Sequence, residues 1–411
     1  MFFGRAGPSA AGLEKVMSSR IYFDHSATTP IDPRVLEVML PYLGGGFGNP
    51  SSLHQEGRAA REAVETARAQ VADLIGAEAD EIIFTASGTE ADNLALIGAV
   101  RASRTPGHIV ASAIEHAAIL QTCRHLASTG TKITYLPVDR DGIVSTNSLL
   151  RALQENVTLV SIMAANNVVG TVQPIEELAH LAKLNGPLFH TDAVQAGGKI
   201  PLDVDQQRVD MLSLSAHKLH GPKGIGALYV RKGTGLAPII FGGGQEQGLR
   251  SATENVAGIV GFGAAAAIAK AEFEEEAIRL CSFREHISKE LQRCCPDWYL
   301  FGHSELRLPG HLSVGFRGQE REVGKILTLL DNAGFAVSAG SACSANHSGE
   351  PSGVLLAMGY DDEQARGLIR ISLGRFTTRE EVDRFLQILI PTVRGLAPDI
   401  SHVEAGQLTV A

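Results

Sequence analysis

Cysteine is scarce in this chain: there are five in 411 residues, with no C-x-x-C spacing and one adjacent pair, Cys294 and Cys295. An odd, unpatterned set excludes a disulfide framework and a structural zinc site, and it fits a protein of the reducing cytosol. Basic runs are missing as well; none is longer than a pair and the net charge is −9, which argues against a nucleic-acid footprint. No continuous apolar run reaches the roughly 18 residues that a membrane span needs. Residues 1–20 are rich in Gly, Ala and Ser without the apolar core of a secretory signal, and Met17 is an alternative start. No repeat period is visible. What is present is 44% hydrophobic content, enough for one large and one small globular unit, each with its own core.

Apolar segments read as strands at Glu81–Thr85, His108–Ser112, Lys132–Leu136, Leu159–Met163, Leu188–His190, Met211–Leu214 and Ala227–Val230. Helical stretches, such as Ala91–Val100 and Ile175–Leu184, lie between them. The alternation predicts an α/β fold with a mostly parallel sheet and helices on both faces. Upstream, Asp32 and Pro33 open a helix through Leu40, and Arg58–Ile75 has helical periodicity closed by Gly76. Between these two helices, four glycines in the five residues Gly44–Gly48 form either a linker or a wall where backbone approaches a ligand.

In such sheets ligands bind outside the carboxyl ends of the strands. Those ends carry Gly88 and Thr89 in a small-residue turn that opens a helix, Glu115 and His116, Asn166 and Asn167, Asp192 and Gln195, and Ser215, His217 and Lys218. Each has a bland alternative: Asp192 as a cap, His116 as a core histidine, Lys218 as a snorkelling loop residue. Together, one rim holds an amine, a carboxylate, an amide, an imidazole and a helix start. A lysine between two core strands loses hydration, which favours the neutral, nucleophilic amine. Pyridoxal phosphate needs this set, because its aldehyde takes an amine, its ring nitrogen a carboxylate, and its phosphate a helix start with hydroxyls.

The motifs Tyr22–Pro30, Gly48–Ser52, Ser87–Asn93, Glu115-His116, Asn166–Gly170, His190–Gln195, Ser215–Lys218 with Gly221–Gly224, Arg250–Thr253, Gly340–Cys343 and Arg370–Arg375 resemble those of the cysteine desulfurases of the NifS/IscS type. These are fold type I, class V aminotransferase-like enzymes. The resemblance implies that Lys218 binds the cofactor aldehyde and acts as base, Asp192 pairs with the ring nitrogen, and Gln195 and Asn167 flank the ring oxygen. It further implies that His116 stacks on the ring and moves protons, that Gly88, Thr89, Ser215 and His217 hold the phosphate, and that Thr253 reaches the phosphate of a partner subunit in a homodimer. Arg370, with Asn167, would grip the substrate carboxylate, a task suited to a planar guanidinium.

Beyond Ala264 the pattern changes to a long charged helix (Ala264–Cys295), a strand (Gly310–Phe316) and helices at Val323–Leu330 and Glu380–Val393, which predicts a smaller α+β unit. The expected division is 31–274 for the large cofactor-binding unit, and 1–30 with 275–411 for the small one. Cys343 lies in the small unit, flanked by Ser, Gly, Asn and His, so its thiol is expected to be exposed on a loop, whereas Cys123 and Cys281 read as buried small hydrophobes. By resemblance Cys343 would take the sulfur of L-cysteine as a persulfide, leave L-alanine, and pass the sulfur to an iron–sulfur scaffold or sulfur carrier. No metal site, nucleic acid or membrane is expected. Two departures from the family pattern, Val168 in place of an acidic residue and one extra residue between Cys343 and Pro351, bear on the choice of acceptor. A selenocysteine lyase or class V aminotransferase is the alternative within the fold. A non-catalytic sulfur-relay scaffold is the alternative outside it.

Overall fold

The computed structural model describes residues 20–103, 107–340 and 350–395. Cys343 lies outside them.

A short strand β1 (Ile21–Tyr22) leads to two helices, α1 (Pro33–Leu43) and α2 (Gln55–Leu74). Asp32 caps α1 by accepting from Arg34 N, and Pro33 follows at the first position, where its missing N–H leaves nothing unsatisfied. Seven strands then build the main sheet: β2 (Ile82–Thr85), β3 (His108–Ser112), β4 (Lys132–Leu136), β5 (Leu159–Ser161), β6 (Leu188–Asp192), β7 (Met211–Ser215) and β8 (Gly226–Val230). Their spatial order is β2-β8-β7-β6-β5-β3-β4. The pairs β3/β4, β3/β5, β5/β6 and β6/β7 are parallel, while β8 pairs antiparallel with both β7 and β2. Six strands therefore run one way and β8 alone runs back, so the carboxyl ends of β2, β3, β5, β6 and β7 share one edge.

Helices α3 (Gly88–Ala102) and α4 (Ala117–Ser128) start directly at that edge. Helix α3 begins three residues before the expected Ala91, because the Ser87 hydroxyl accepts from Glu90 N and caps the turn. The next long element, α5 (Val256–Cys294), begins eight residues before the expected Ala264. Its glycine-rich opening obscures helical periodicity, yet the glycines are there for packing: a Cβ at Gly261 would lie 2.5 Å from Met39 Sδ on α1, and one at Gly263 2.6 Å from Ala67 Cα on α2. By length and composition this helix could cross a bilayer. Instead its first half packs Ile259, Phe262, Ala265 and Ala266 into the core under the sheet, and its second half packs Leu280, Phe283, Ile287 and Leu291 into a second core.

That second core surrounds an antiparallel sheet of β9 (Trp298–Leu300), β10 (His311–Phe316) and β12 (Ile369–Ser372), in the order β12-β10-β9. Strand β11 (Phe335–Ala336) pairs in parallel with β1, which returns the N-terminal end of the chain to this unit. Helix α6 (Arg379–Val393) opens on a capping box between Thr378 and Glu381 and buries Val382, Phe385 and Leu389 against it. Strands β9, β11 and β12 are too short or too mixed in sequence to be read as strands, and they exist through pairing.

Val168 is buried in an apolar cluster with Ile114, Phe301 and Leu355, so it has no surface with which to select an acceptor. Cys123 and Cys295 are buried, while Cys281 and Cys294 are half-buried. The glycine-rich stretch packs on the start of α2, where a Cβ at Gly48 would lie 2.0 Å from the Glu56 carbonyl oxygen.

Candidate active site

The five strand ends converge on a cavity of about 190 Å³. Gly88, Thr89, His116, Asn167, Asp192, Gln195, Ser215, His217, Lys218 and Arg370 all line it. Thr253 does not; it is exposed on the surface of the single chain. The cavity also takes in Ser26, Ala27, Ser87, Asp92, Met163 and Val194, to which the sequence assigned no role. A larger groove of about 910 Å³ lies elsewhere, open to solvent along Asp73, Glu176, His180 and Lys270, and none of the expected site residues lines it.

Lys218 is held by the turn that carries it. The next residues place His220 at φ 63°, a left-handed conformation unusual outside glycine, and two bonds fix it there: His220 N donates to Thr29 Oγ1 at 2.9 Å, and His220 Nδ1 lies 3.0 Å from the Pro30 carbonyl. The Lys218 amine donates to the carbonyls of Ser26 at 2.6 Å and Ala27 at 2.7 Å. His217 Nδ1 lies 3.1 Å from Thr28 Oγ1. Burial, followed by the charges of Lys218 and Lys223, lowers the His217 pKa to about 4, so the imidazole is neutral.

At the far wall, the start of α3 presents Gly88 and Thr89 beside Ser215. A Cβ at Gly88 would lie 2.6 Å from Val194 Cγ2 and 3.5 Å from Ser215 Cβ, so glycine is required for this approach. A 15-residue helix start flanked by hydroxyls suits an anion. His116 both caps α4, with Nδ1 accepting from Ala118 N at 3.2 Å, and faces the cavity; the capping and site readings hold together.

Asp192 ends β6, and its Oδ1 accepts from Val194 N at 2.9 Å. Burial raises its pKa, opposed by His116, the Val194 N–H and Lys218. Two more buried carboxyls lie behind it. Burial, with Asp192 and Glu115 nearby, raises the Asp92 pKa well above the usual range, and Asp92 Oδ1 has no hydrogen-bond partner. Burial lifts Glu115 to about 8, while its Oε1 accepts from Ser112 Oγ at 2.5 Å and Met163 N at 2.9 Å. Like charges in low dielectric resist joint ionisation, so burial and mutual repulsion push Asp92 and Glu115 toward their protonated forms, while Asp192, facing His116 and Lys218, is the best placed of the three to carry charge.

Arg370 enters from β12 and is 1% exposed. Its Nη1 donates to the Asn167 carbonyl at 2.9 Å, and its Nη2 to Asp24 Oδ1 at 2.6 Å and Ser338 Oγ at 3.2 Å. Nε is buried without a partner, and the Arg370 side chain lines the cavity, where a guanidinium suits an incoming carboxylate. Asp24, whose motif was legible but whose role was not, is the counter-charge that holds the guanidinium in place.

A lysine amine, a carboxylate opposite, a helix start with hydroxyls, a neutral imidazole and an unsatisfied guanidinium N–H fit pyridoxal phosphate and an amino-acid carboxylate. Residues 21–385 match the aminotransferase class-V family. The chain is 47% identical over 386 residues to the cysteine desulfurase IscS of Dictyoglomus turgidum, covering 93% of this chain and 97% of that protein. It is 48% identical over 379 residues to a putative cysteine desulfurase, IscS 1, of Bacillus subtilis, covering 92% and 99%. Among solved structures, a NifS-like protein superposes with TM-score 0.85 at 40% identity, covering 92% of this chain and all of the other. SspA in complex with cysteine superposes with TM-score 0.76 at 37% identity, covering 87% of this chain. The chain belongs to the class-V aminotransferase family of pyridoxal-phosphate-dependent enzymes, among its cysteine desulfurases.

Proposed function

We propose that this protein removes sulfur from L-cysteine, releases L-alanine, and carries the sulfur as a persulfide on Cys343. The observation that carries the reading is the meeting of Lys218, Asp192 and Arg370 in one cavity. Pyridoxal phosphate, when bound, supplies an aldehyde that condenses with amines and a protonated ring that accepts the electrons released at the α-carbon.

The chain's own residues do the rest. Lys218, which donates to two backbone carbonyls, would hold the cofactor aldehyde and, when its amine is free, would be the base for the α-proton. Asp192 keeps the ring nitrogen protonated. Gln195 and Asn167 would flank the ring oxygen, His116 would stack on the ring and move protons, and Gly88, Thr89, Ser215 and His217 would hold the phosphate; all of them line the cavity. Arg370, braced by Asp24, and Asn167 fix the substrate carboxylate. The Cys343 thiolate would attack the substrate sulfur; a sulfur–sulfur bond forms, the carbon–sulfur bond breaks with its electron pair left on the substrate β-carbon, and a proton at that carbon together with the return of the α-proton completes alanine.

We read the chain as a homodimer. Leu36, Leu40, Leu43, Phe47, Leu53 and Phe241 are exposed on α1, the segments after it and the loop before Thr253, and a second copy would cover them while Thr253 completes its partner's phosphate site. The unit boundary at 274/275 is supported by the position along α5 where the first core ends, after Ala269, and the second begins, at Leu280. A reducing cytoplasm is its proposed place, and an iron–sulfur scaffold or sulfur carrier its proposed acceptor. A transaminase has no use for a thiol at residue 343, so Cys343→Ser separates the alternatives. That variant should bind the cofactor and L-cysteine yet produce almost no alanine under reducing conditions. Mass spectrometry of the wild type should place the added sulfur on Cys343. A persulfide on Cys123, Cys281, Cys294 or Cys295 with Cys343 unmodified would overturn the assignment.

A further inference from the structure

Behind Lys218 lies a small chamber bounded by His25, Lys199, Lys218, His220, Glu276 and Arg375. Lys199 has no part in the mechanism above. It reaches the chamber because the chain turns at Gly197 and Gly198. Gly198 sits at φ 68°, a Cβ on it would lie 2.8 Å from Ala269 Cβ on α5, and a Cβ on Gly197 would lie 2.8 Å from Leu214 Cδ2. Residues without side chains let the backbone pass between sheet and helix.

The stem of Lys199 keeps some exposed surface, but its amine is desolvated. Burial, and then the charge of Lys218, lower its pKa to about 7, with Glu276 opposing and Arg370 adding to the shift. The chamber's carboxylate, Glu276, is engaged by Arg375 Nε at 3.0 Å. Lys199 instead donates to a neutral group, Gln195 Oε1, at 3.3 Å. A desolvated amine with one long bond to an amide contributes little to stability.

The bond does set a direction. In its protonated form the Lys199 amine only donates, so the amide oxygen of Gln195 then faces Lys199 and its NH2 faces the other way. There Nε2 donates to the Ser26 carbonyl at 2.9 Å, the same oxygen that receives the Lys218 amine. We propose that Lys199 is a positioning residue that locks the Gln195 side-chain amide with its NH2 turned toward Lys218 and the cofactor cavity. This rests on the reading in which Gln195 flanks the cofactor's ring oxygen. Locked, the amide donates to that oxygen when it is anionic; flipped, it would set a carbonyl oxygen against it.

The test uses the loaded enzyme and its apo form. Lys199→Met keeps the stem and removes the donor, Lys199→Arg restores a donor-only cation, and Gln195→Ala removes the intermediary. The readouts are the pH midpoint of the cofactor's visible absorption and the affinity of the apo protein for pyridoxal phosphate. Lys199→Met should move the midpoint by about one pH unit, the size of one lost hydrogen bond, and weaken cofactor binding several-fold. Lys199→Arg should restore both, and Lys199→Met should add no further shift in the Gln195→Ala background. Should the Met variant fail to fold, Lys199→Ala carries the same expectations. An unchanged midpoint would overturn the proposal. So would a shift that persists without Gln195, since Lys199 would then act by charge through space. A wild-type protein that takes up no pyridoxal phosphate would instead overturn the underlying reading of Gln195.

Discussion

Two buried clusters lie on either side of Lys218, one of acids beside the cavity and one of bases around the chamber behind it. On one side lie Asp92, Glu115 and Asp192; on the other, around the chamber behind Lys218, lie His25, Lys199, His220, His311 and Arg375. Burial pushes the acids up and the bases down, so most of both walls is neutral: Glu115 at about 8, His25 at about 3, His220 at about 4. Partners decide which groups stay charged. Asp192 has the Val194 N–H, His116 and Lys218; Arg370 has Asp24; Arg375 has Asp32 at 3.0 Å and Glu276. Asp92 has an orphan oxygen 3.7 Å from the neutral His190, and burial with Asp192 nearby favours its protonated form. Two carboxyls in one buried cluster thus differ in charge because of what faces them.

The strongest way to break this arrangement is to remove the amine between the walls. Lys218→Ala should lower alanine formation by about 10⁴-fold and abolish the visible band, since it removes both the aldehyde's partner and the base. Lys223→Ala, on the exposed part of the same turn, should keep both. Next comes the contrast inside the acidic wall. Asp192→Asn removes a charge-assisted bond and should cost about 10²-fold in turnover. Asp92→Asn replaces a protonated acid by a near-isostere and should stay within about 3-fold of wild type. Equal losses in an alanine assay would mean that both carboxyls ionise.

The smallest effects are on stability, with opposite signs on the two walls. Glu115 has a folded pKa of about 8, above its unfolded value near 4.3, so the native state binds the extra proton between them. Its contribution is complete below about pH 4 and is lost as pH rises through 8. His220 has a folded pKa of about 4, below its unfolded 6.5; its contribution is complete above pH 6.5 and is lost as pH falls through 4. Thermal melts should therefore show Glu115→Gln gaining about 1–3 °C on wild type between pH 5 and pH 8. His220→Asn, whose side chain tolerates the left-handed backbone, should gain a similar amount between pH 7 and pH 5. Parallel shifts at all pH values would show that neither group titrates as buried.

Much of this was legible in the chain. The runs His108–Ser112 and Lys132–Leu136 are strands with those limits; the first is buried along its whole length, as a strand covered by helices must be, while the second is the sheet's edge strand and keeps Lys132 and Tyr135 exposed. The order of polar residues after each strand followed from the parallel topology, since every forward strand ends at one edge. What the residues alone determined was therefore the sheet, its functional rim, the family motifs and the amine at their centre. Those are local patterns, repeated at short range. The tertiary structure decided the rest: that Asp24 braces Arg370 from 346 residues away, that Asp92 stands behind Asp192, that Gly197 and Gly198 deliver Lys199 into a chamber, and that β9, β11 and β12 are strands at all. Each depends on contacts between distant segments. Whether a buried acid or base keeps its charge is set by the partners those contacts bring, and spacing along the chain does not contain that information.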